Sequence, residues 1–318
     1  MIESIRQKLA RHPRLAIGIG DDAALVDFTH RPGGSSRVAA GCLVTVDMLM
    51  EGVDFTIPPA TPRQIGWKSL AVNLSDIAAM AGQPVACVVS VALPRHNGFA
   101  LGQGLMEGII ACADQFGVAL AGGDTNTWEG PLVISITVLG EPTLKGPVQR
   151  SGAVPGDWIM ATGSFGGSIA GKHLDFTPRV AEALALHEAA ALHAMIDVSD
   201  GLAADLWHIL DESRVGAILD AAAIPVSPQA LACCDDRSAL EHALADGEDF
   251  ELLFTVSAAD GQALLNSQVI STQISYIGQV TASRDCFLKS ADGNLTPLPA
   301  LGWKHGFARA NGAGRDNS

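Results

Sequence analysis

The sequence predicts an α/β (α+β) chain folded as two domains, on three observations. Short apolar runs of strand length alternate with longer helical patterns along most of the chain. The 318 residues amount to about two domains of roughly 150 residues each. Hydrophobic residues make up 48% and charged residues 17%, which supplies sizeable buried cores and is too apolar for disorder.

The elements follow in order. Leu15–Ile19 and Cys42–Val46 are apolar runs of strand length. Pro62 to Met80 is a helix that opens on proline, whose missing N–H costs nothing in a first turn. Val85 to Leu93 is a buried strand, Leu101 to Phe116 a helix, and Leu132 to Leu139 a strand with Val, Ile and Thr. Residues 141–157 are dense in proline and glycine and mark the domain boundary. The second half repeats the logic: strand Trp158–Ala161, helix Pro178–His193, strand Ala194–Val198, helix Leu202–Glu212, then strands Phe250–Val256 and Ile274–Val280. Asp292-Gly293 marks a hairpin turn. The tail beyond Phe307 is expected to be disordered.

Charge excludes several partners. Twenty Lys+Arg against 34 Asp+Glu give −14, with no basic run, so nucleic acid and anionic membrane are not expected. The six cysteines form no C-x-x-C pair and no zinc spacing, and read as reduced thiols of a cytoplasmic protein. The start of the chain has no uninterrupted apolar segment, so no signal peptide is expected. The longest charge-free apolar stretch, Ile77 to Pro94, is broken by Gly82-Gln83-Pro84 and is not a membrane span.

Two glycine motifs are decoys. Gly166 to Lys172 matches seven positions of a phosphate-binding loop, but His173 stands where a magnesium-binding hydroxyl belongs. Gly18-Ile-Gly20 is followed by Asp21 and Asp22, which repel a pyrophosphate.

What stands out is the placement of the acids. Gly20-Asp21-Asp22, Thr45-Val46-Asp47, Ser75-Asp76, Gly122-Gly123-Asp124, Asp197-Val198-Ser199-Asp200 and Gly247-Glu248-Asp249 all fall at expected strand ends, turns or helix starts. Each alone is also an ordinary turn or cap. Asn73 and Asp76, however, share one face of an otherwise apolar helix, where an unpaired carboxylate is costly and a metal is a natural partner. Glycines flanking the acids suit close approach of backbone to a ligand. Carboxylates without His or Cys favour hard cations such as Mg²⁺, which bridge phosphates. Nucleoside triphosphate chemistry follows, and the substrate does not.

Taken together the motifs resemble a family. Gly18-Ile-Gly-Asp-Asp-Ala-Ala24, Asn73-Leu-Ser-Asp-Ile-Ala-Ala-Met80, Gly122-Gly-Asp-Thr125, Arg150-Ser-Gly-Ala-Val-Pro-Gly-Asp157, Asp197-Val-Ser-Asp-Gly-Leu202 and Gly247-Glu-Asp-Phe-Glu-Leu252 occur in the order seen in thiamine-monophosphate kinases. These belong with the aminoimidazole ribonucleotide and selenophosphate synthetases, and the resemblance runs from Gly18 to about Phe307. It implies a synthetase-type fold: an N-terminal domain, 1–148, that binds ATP and Mg²⁺ and dimerises through its sheet, and a C-terminal α/β domain, 149–307, before the tail 308–318. It implies direct transfer of the ATP γ-phosphoryl group to thiamine monophosphate, in a homodimer, helped by several Mg²⁺ ions. Asp22, Thr45, Asp47, Asp76, Asp124, Asp197 and Asp200 match metal ligands of the family, and the resemblance implies that Asp47, Asp76 and Asp124 gather around shared Mg²⁺ at one mouth. Gly123, Arg150 and Ser199 match ATP contacts, while Glu248 and Trp303 match the thiamine site. Asp54 stands in the segment where the family carries a substrate-contacting histidine, and is assigned to substrate. Val46 replaces a hydroxyl residue, implying one lost ligand. The stretch from Gly163 to Arg179 is short, and the usual opening Gly-Glu-Phe is missing. A kinase of another small phosphate ester, or a nucleotide-binding regulatory module of the same fold, are the alternatives.

Overall fold

The computed structural model describes residues 5–6, 8, 12–28 and 41–303; the tail expected to be disordered lies outside them. Six strands form the first sheet: β1 (Leu15–Ile17), β2 (Ala24–Val26), β3 (Cys42–Met50), β4 (Gly82–Pro94), β5 (Ala119–Trp128) and β6 (Val133–Pro142). Their order is β1-β2-β3-β6-β4-β5. Only β4 and β5 run parallel.

Two helices cover the inner face, α1 (Pro62–Ala79) and α2 (Gly98–Phe116). Thr61 starts α1: its hydroxyl accepts from Gln64 N, and the Gln64 side chain accepts from Thr61 N, closing a capping box ahead of Pro62. The helix is buried on nearly all sides, because the first sheet lies on one flank and the second half of the chain on the other. α1 and α2 meet backbone to backbone. A Cβ on Gly66 would sit 2.0 Å from the Leu105 carbonyl oxygen, and one on Gly108 1.9 Å from that of Arg63. Only glycine permits that approach.

The second sheet has seven strands: β7 (Trp158–Thr162), β8 (Leu192–Asp197), β9 (Gly216–Asp220), β10 (Leu252–Val256), β11 (Ile274–Thr281), β12 (Cys286–Lys289) and β13 (Leu295–Pro297). Their order is β13-β12-β9-β11-β7-β10-β8, antiparallel except for β9 with β12. Its helices are α3 (Lys172–Asp175), α4 (Val180–Ala189), α5 (Leu202–Ser213), α6 (Pro228–Ala232), α7 (Ala239–Ala245) and α8 (Ala258–Asn266). One apolar core runs beneath the first sheet and on into one face of the second, taking in Leu70, Leu74, Phe176, Leu186 and Phe254. A second core fills the other face around Ile196, Leu206, Leu210 and Leu253.

Differences from the sequence reading have physical causes. Residues 122–125 lie within strand β5, not at a strand end: its small and polar side chains show no apolar alternation, and edge pairing with β4 makes the strand. The long helix expected from Pro178 ends at Ala189, because Ala190 turns extended and Leu192 already pairs in β8. Strand β2, of three residues, is too short to carry a periodicity signal. The hairpin at Asp292-Gly293 joins β12 to β13 through Gly293 N donating to the Ser290 carbonyl. The outer face of the first sheet leaves Val46, Met48, Val85 and Val88 exposed.

Candidate active site

The site lies where α1 meets the loops that follow β1, β8 and α7. Strand alternation in β3 turns Thr45 and Asp47 inward and Val46 outward, where Val46 is 59% exposed. A hydroxyl at position 46 would therefore point away from Asp47 and Asp76 and share the outer face of the sheet with Asp124. Thr45 Oγ1 instead donates to Asp76 on α1. Asn73 does not face a ligand either: its Oδ1 accepts from Asp47 N at 3.0 Å and its Nδ2 donates to the Ser69 carbonyl.

Asp22, Asp76 and Asp197 converge, with carboxylate oxygens within 4.8 Å of one another. Ser75 Oγ donates to Asp197 Oδ2 at 2.6 Å, and Arg150 Nη2 to Asp22 Oδ1 at 2.6 Å. Asp22 Oδ2 and Arg150 Nε are buried without a hydrogen-bond partner. Burial pushes Asp76 well above the ordinary carboxylate range, and the charges of Asp47, Asp197 and Asp22 add to it. Asp47 rises to about 6 and Asp197 to about 7, burial again the leading cause with neighbouring carboxylates adding. Burial opposes the charge of Arg150, but Asp22 outweighs it and holds the guanidinium protonated.

The cluster opens into a cleft of about 270 Å³ whose walls include Asp47, Asp54, Asp76, Asp197, Ser199, Asp200, Glu248 and Trp303. Ser199 and Asp200 sit on a turn fixed from below: the backbone N–H groups of Ser199, Asp200 and Gly201 donate to the Asp205 carboxylate at 3.0, 3.0 and 3.1 Å. Trp303 N donates to the Asp200 carbonyl, which brings that ring to the cleft. The Asp54 carboxylate accepts from Met50 N at 2.7 Å, closing its own turn.

Two expected residues stand apart. Register pairs Asp47 with Ile136, Ile136 with Val89 and Val89 with Gly123. Gly123 and Asp124 are thus three strands from Asp47, about 14 Å, and Asp124, one residue out of phase, faces the other side of the sheet. Asp124 does not join Asp47 and Asp76 at one mouth in the single chain.

Sequence reasoning passed over Lys68. Its side chain is fully buried at the back of the cleft, and its ammonium pairs with Glu248. A lone lysine on an apolar helix was the available signal. Asp21, read only within its motif, accepts from Arg150 N and Gln149 Nε2 and so orients the arginine. The Gly166–Lys172 segment cradles its own carboxylates: Gly166 N donates to Asp249 and Gly167 N to Asp246, and Lys172 pairs with Glu251. The first two N–H groups of the segment and its lysine are thus taken.

The two-sheet fold and its acid-lined cleft define a class. Residues 20–141 match the family model for the N-terminal domain of AIR synthase related proteins, and residues 154–290 that for the C-terminal domain. A thiamine-monophosphate kinase of Rhodopirellula baltica is 39% identical over 306 residues, 95% of each chain. The solved structure of AaThiL complexed with AMPPCP and TMP superposes with a TM-score of 0.80 at 26% identity, covering 96% of this chain and 95% of that one. The crystal structure of thiamine-monophosphate kinase from Stenotrophomonas maltophilia K279a gives 0.71 at 33% identity, covering 93% and 96%. The chain belongs to the thiamine-monophosphate kinase family of the AIR synthase related proteins, and it is an enzyme, a phosphotransferase. Among the described residues, no helix is long and apolar enough to cross a membrane.

Proposed function

We propose that this chain transfers the γ-phosphoryl group of ATP directly to the phosphate of thiamine monophosphate, giving thiamine diphosphate and ADP. The observation that carries the reading is the Asp22–Asp76–Asp197 cluster, whose Asp76 and Asp197 line a cleft of about 270 Å³. The relative of known structure with an ATP analogue and TMP bound supports both substrates.

The donor set fits Mg²⁺. It is all oxygen, neighbouring carboxylates add to burial in raising Asp76 and Asp197, and one buried oxygen of Asp22 has no protein partner. Asp22, Asp76 and Asp197 would hold the metal, with Asp47 and Thr45 beside them and Asp200 further along the cleft. Bound there, Mg²⁺ supplies the positive charge that lets two phosphate groups approach each other. Asp124 on β5 would belong to a separate ion, and Gly123 beside it to the nucleotide's path.

The protein's own residues position the partners. Arg150, held protonated by Asp22 and oriented by Asp21, is the guanidinium for a nucleotide phosphate. Ser199, on its rigid turn, offers a hydroxyl to the nucleotide. Trp303 presents a ring face to the cationic thiazolium, and Glu248 a carboxylate to offset its charge. Asp54 shapes the wall between them.

Division into an N-terminal unit, 1–148, and a C-terminal unit, 149–307, accords with one sheet in each range. A homodimer would cover the apolar outer face of the first sheet, including Val46 and Met48. Six free cysteines accord with a cytoplasmic setting.

The test is ADP formation with Mg²⁺ and ATP, with and without thiamine monophosphate. Turnover that requires thiamine monophosphate and yields thiamine diphosphate is expected. Equal turnover with another phosphate ester, or none with either, defeats the reading.

A further inference from the structure

Lys68 is fully buried, and its ammonium donates to the Asp54 carbonyl at 2.7 Å and to Oε2 of Glu248, 180 residues away in the second half. Burying an ammonium is costly unless it is paired, so its presence in an apolar helix calls for a function that the pair performs. Glu248 is held from other sides as well. Its N–H donates to the Ser199 carbonyl at 2.7 Å, its own carbonyl accepts from Ser168 Oγ at 2.6 Å, and its φ of 56° is left-handed. A non-glycine residue stays in that region only where its surroundings over-determine it.

Lys68 and Ser75 lie seven residues apart, two turns along one face of α1, a rise of about 10 Å. Each reaches an acid of the second half: Ser75 the Asp197 carboxylate of the cluster, Lys68 the Glu248 carboxylate. The helix therefore sets the spacing between the acidic cluster and Glu248. The Glu248 side chain is a quarter exposed and faces the cleft, so an oxygen tied to Lys68 leaves the carboxylate aimed at a ligand.

We infer that Lys68 is a positioning residue for the acceptor: it fixes the Glu248 carboxylate two helical turns from the acidic cluster, so that a phosphate ester with a cationic ring spans the two. This rests on the reading of Glu248 as the partner of the acceptor's cation. Methionine at 68 keeps the packing and frees Glu248, which water reaches from the cleft.

Calorimetric binding tests it on the full-length protein with Mg²⁺, using thiamine monophosphate and a non-hydrolysable ATP analogue as separate probes. Lys68→Met is expected to weaken thiamine monophosphate by about tenfold and to leave the ATP analogue within about twofold, and Lys68→Met/Glu248→Gln to bind no more weakly than Glu248→Gln alone. Glu248→Asp, which keeps the charge but shortens the reach to Lys68, is expected to lose about as much as Glu248→Gln and stands independently of how Lys68→Met folds. Equal weakening of both probes by Lys68→Met, additive losses in the double variant, or wild-type affinity in Glu248→Asp overturns the inference. Weak binding by Glu248→Gln with wild-type binding by Lys68→Met overturns the inference alone. Wild-type binding by Glu248→Gln overturns it together with the reading of Glu248.

Discussion

The Arg150 guanidinium donates to one oxygen of Asp22 at 2.6 Å while the other oxygen of that carboxylate is buried with no protein partner. Arg150 thus ties the acidic cluster to the start of the second half of the chain. Lys172, the residue of the phosphate-loop lookalike, is instead engaged with Glu251, which Arg179 also grips with two 2.7 Å contacts. Arg150→Ala is expected to lower kcat/KM for ATP by about a hundredfold and Lys172→Ala by less than about threefold. Steady-state kinetics with ATP varied decides it, and the reverse ranking places the nucleotide elsewhere.

Asp76 is the most crowded of the acids, with Asp47, Asp197 and Asp22 all raising its pKa on top of burial. Asp76→Asn removes a charge from that crowd and keeps the shape. Turnover should fall to background while the metal-free protein unfolds at a higher temperature than wild type. Wild-type-like activity, with or without added stability, removes Asp76 from the site.

The same crowding sets a pH dependence. Asp47 at about 6 and Asp197 at about 7 titrate above an unfolded carboxylate near 3.8, so the native state binds more protons than the unfolded one between those values. The stability of the metal-free protein should therefore fall as pH rises from about 4 to about 7. Mg²⁺ should reverse the trend by stabilising the ionised cluster, with its largest effect on Tm at the upper end. Melting curves at several pH values, with EDTA or with Mg²⁺, measure both slopes. A Tm of the EDTA-treated protein that climbs across this interval contradicts the assignment.

Asp54 uses its carboxylate to accept from Met50 N and its carbonyl to accept from Lys68. Asp54→Ala should loosen this turn at a cost of about 1 kcal/mol. KM for thiamine monophosphate should rise several-fold, because the turn borders Glu248, while KM for ATP stays near its original value. A shift confined to KM for ATP would move Asp54 to the nucleotide side.

The uncovered outer face of the first sheet offers a simpler measurement. Val46 and Met48 are 59% and 61% exposed on a strand whose inner neighbours hold the site. Val46→Asp with Met48→Lys should convert a dimer into monomers by light scattering. A wild-type assembly that is already monomeric would show that this face is not the seam.

Much of this protein was written locally. Pro62 announces the start of α1, the apolar run from Cys42 announces β3, and the acid motifs mark residues that build the cleft. Such features are legible because each depends on neighbours within one or two turns or strand pairs. Only the tertiary structure decided which acids meet. Asp22 and Asp197 share one cluster because α1 packs between the two sheets, and no local pattern encodes that closure. The same is true of Lys68, whose partner lies 180 residues away, and of β5, a strand by virtue of its pairing with β4. Sheet order likewise separated Asp124 from Asp47: register is fixed by long-range pairing, and three strand spacings set a distance that sequence motifs do not contain.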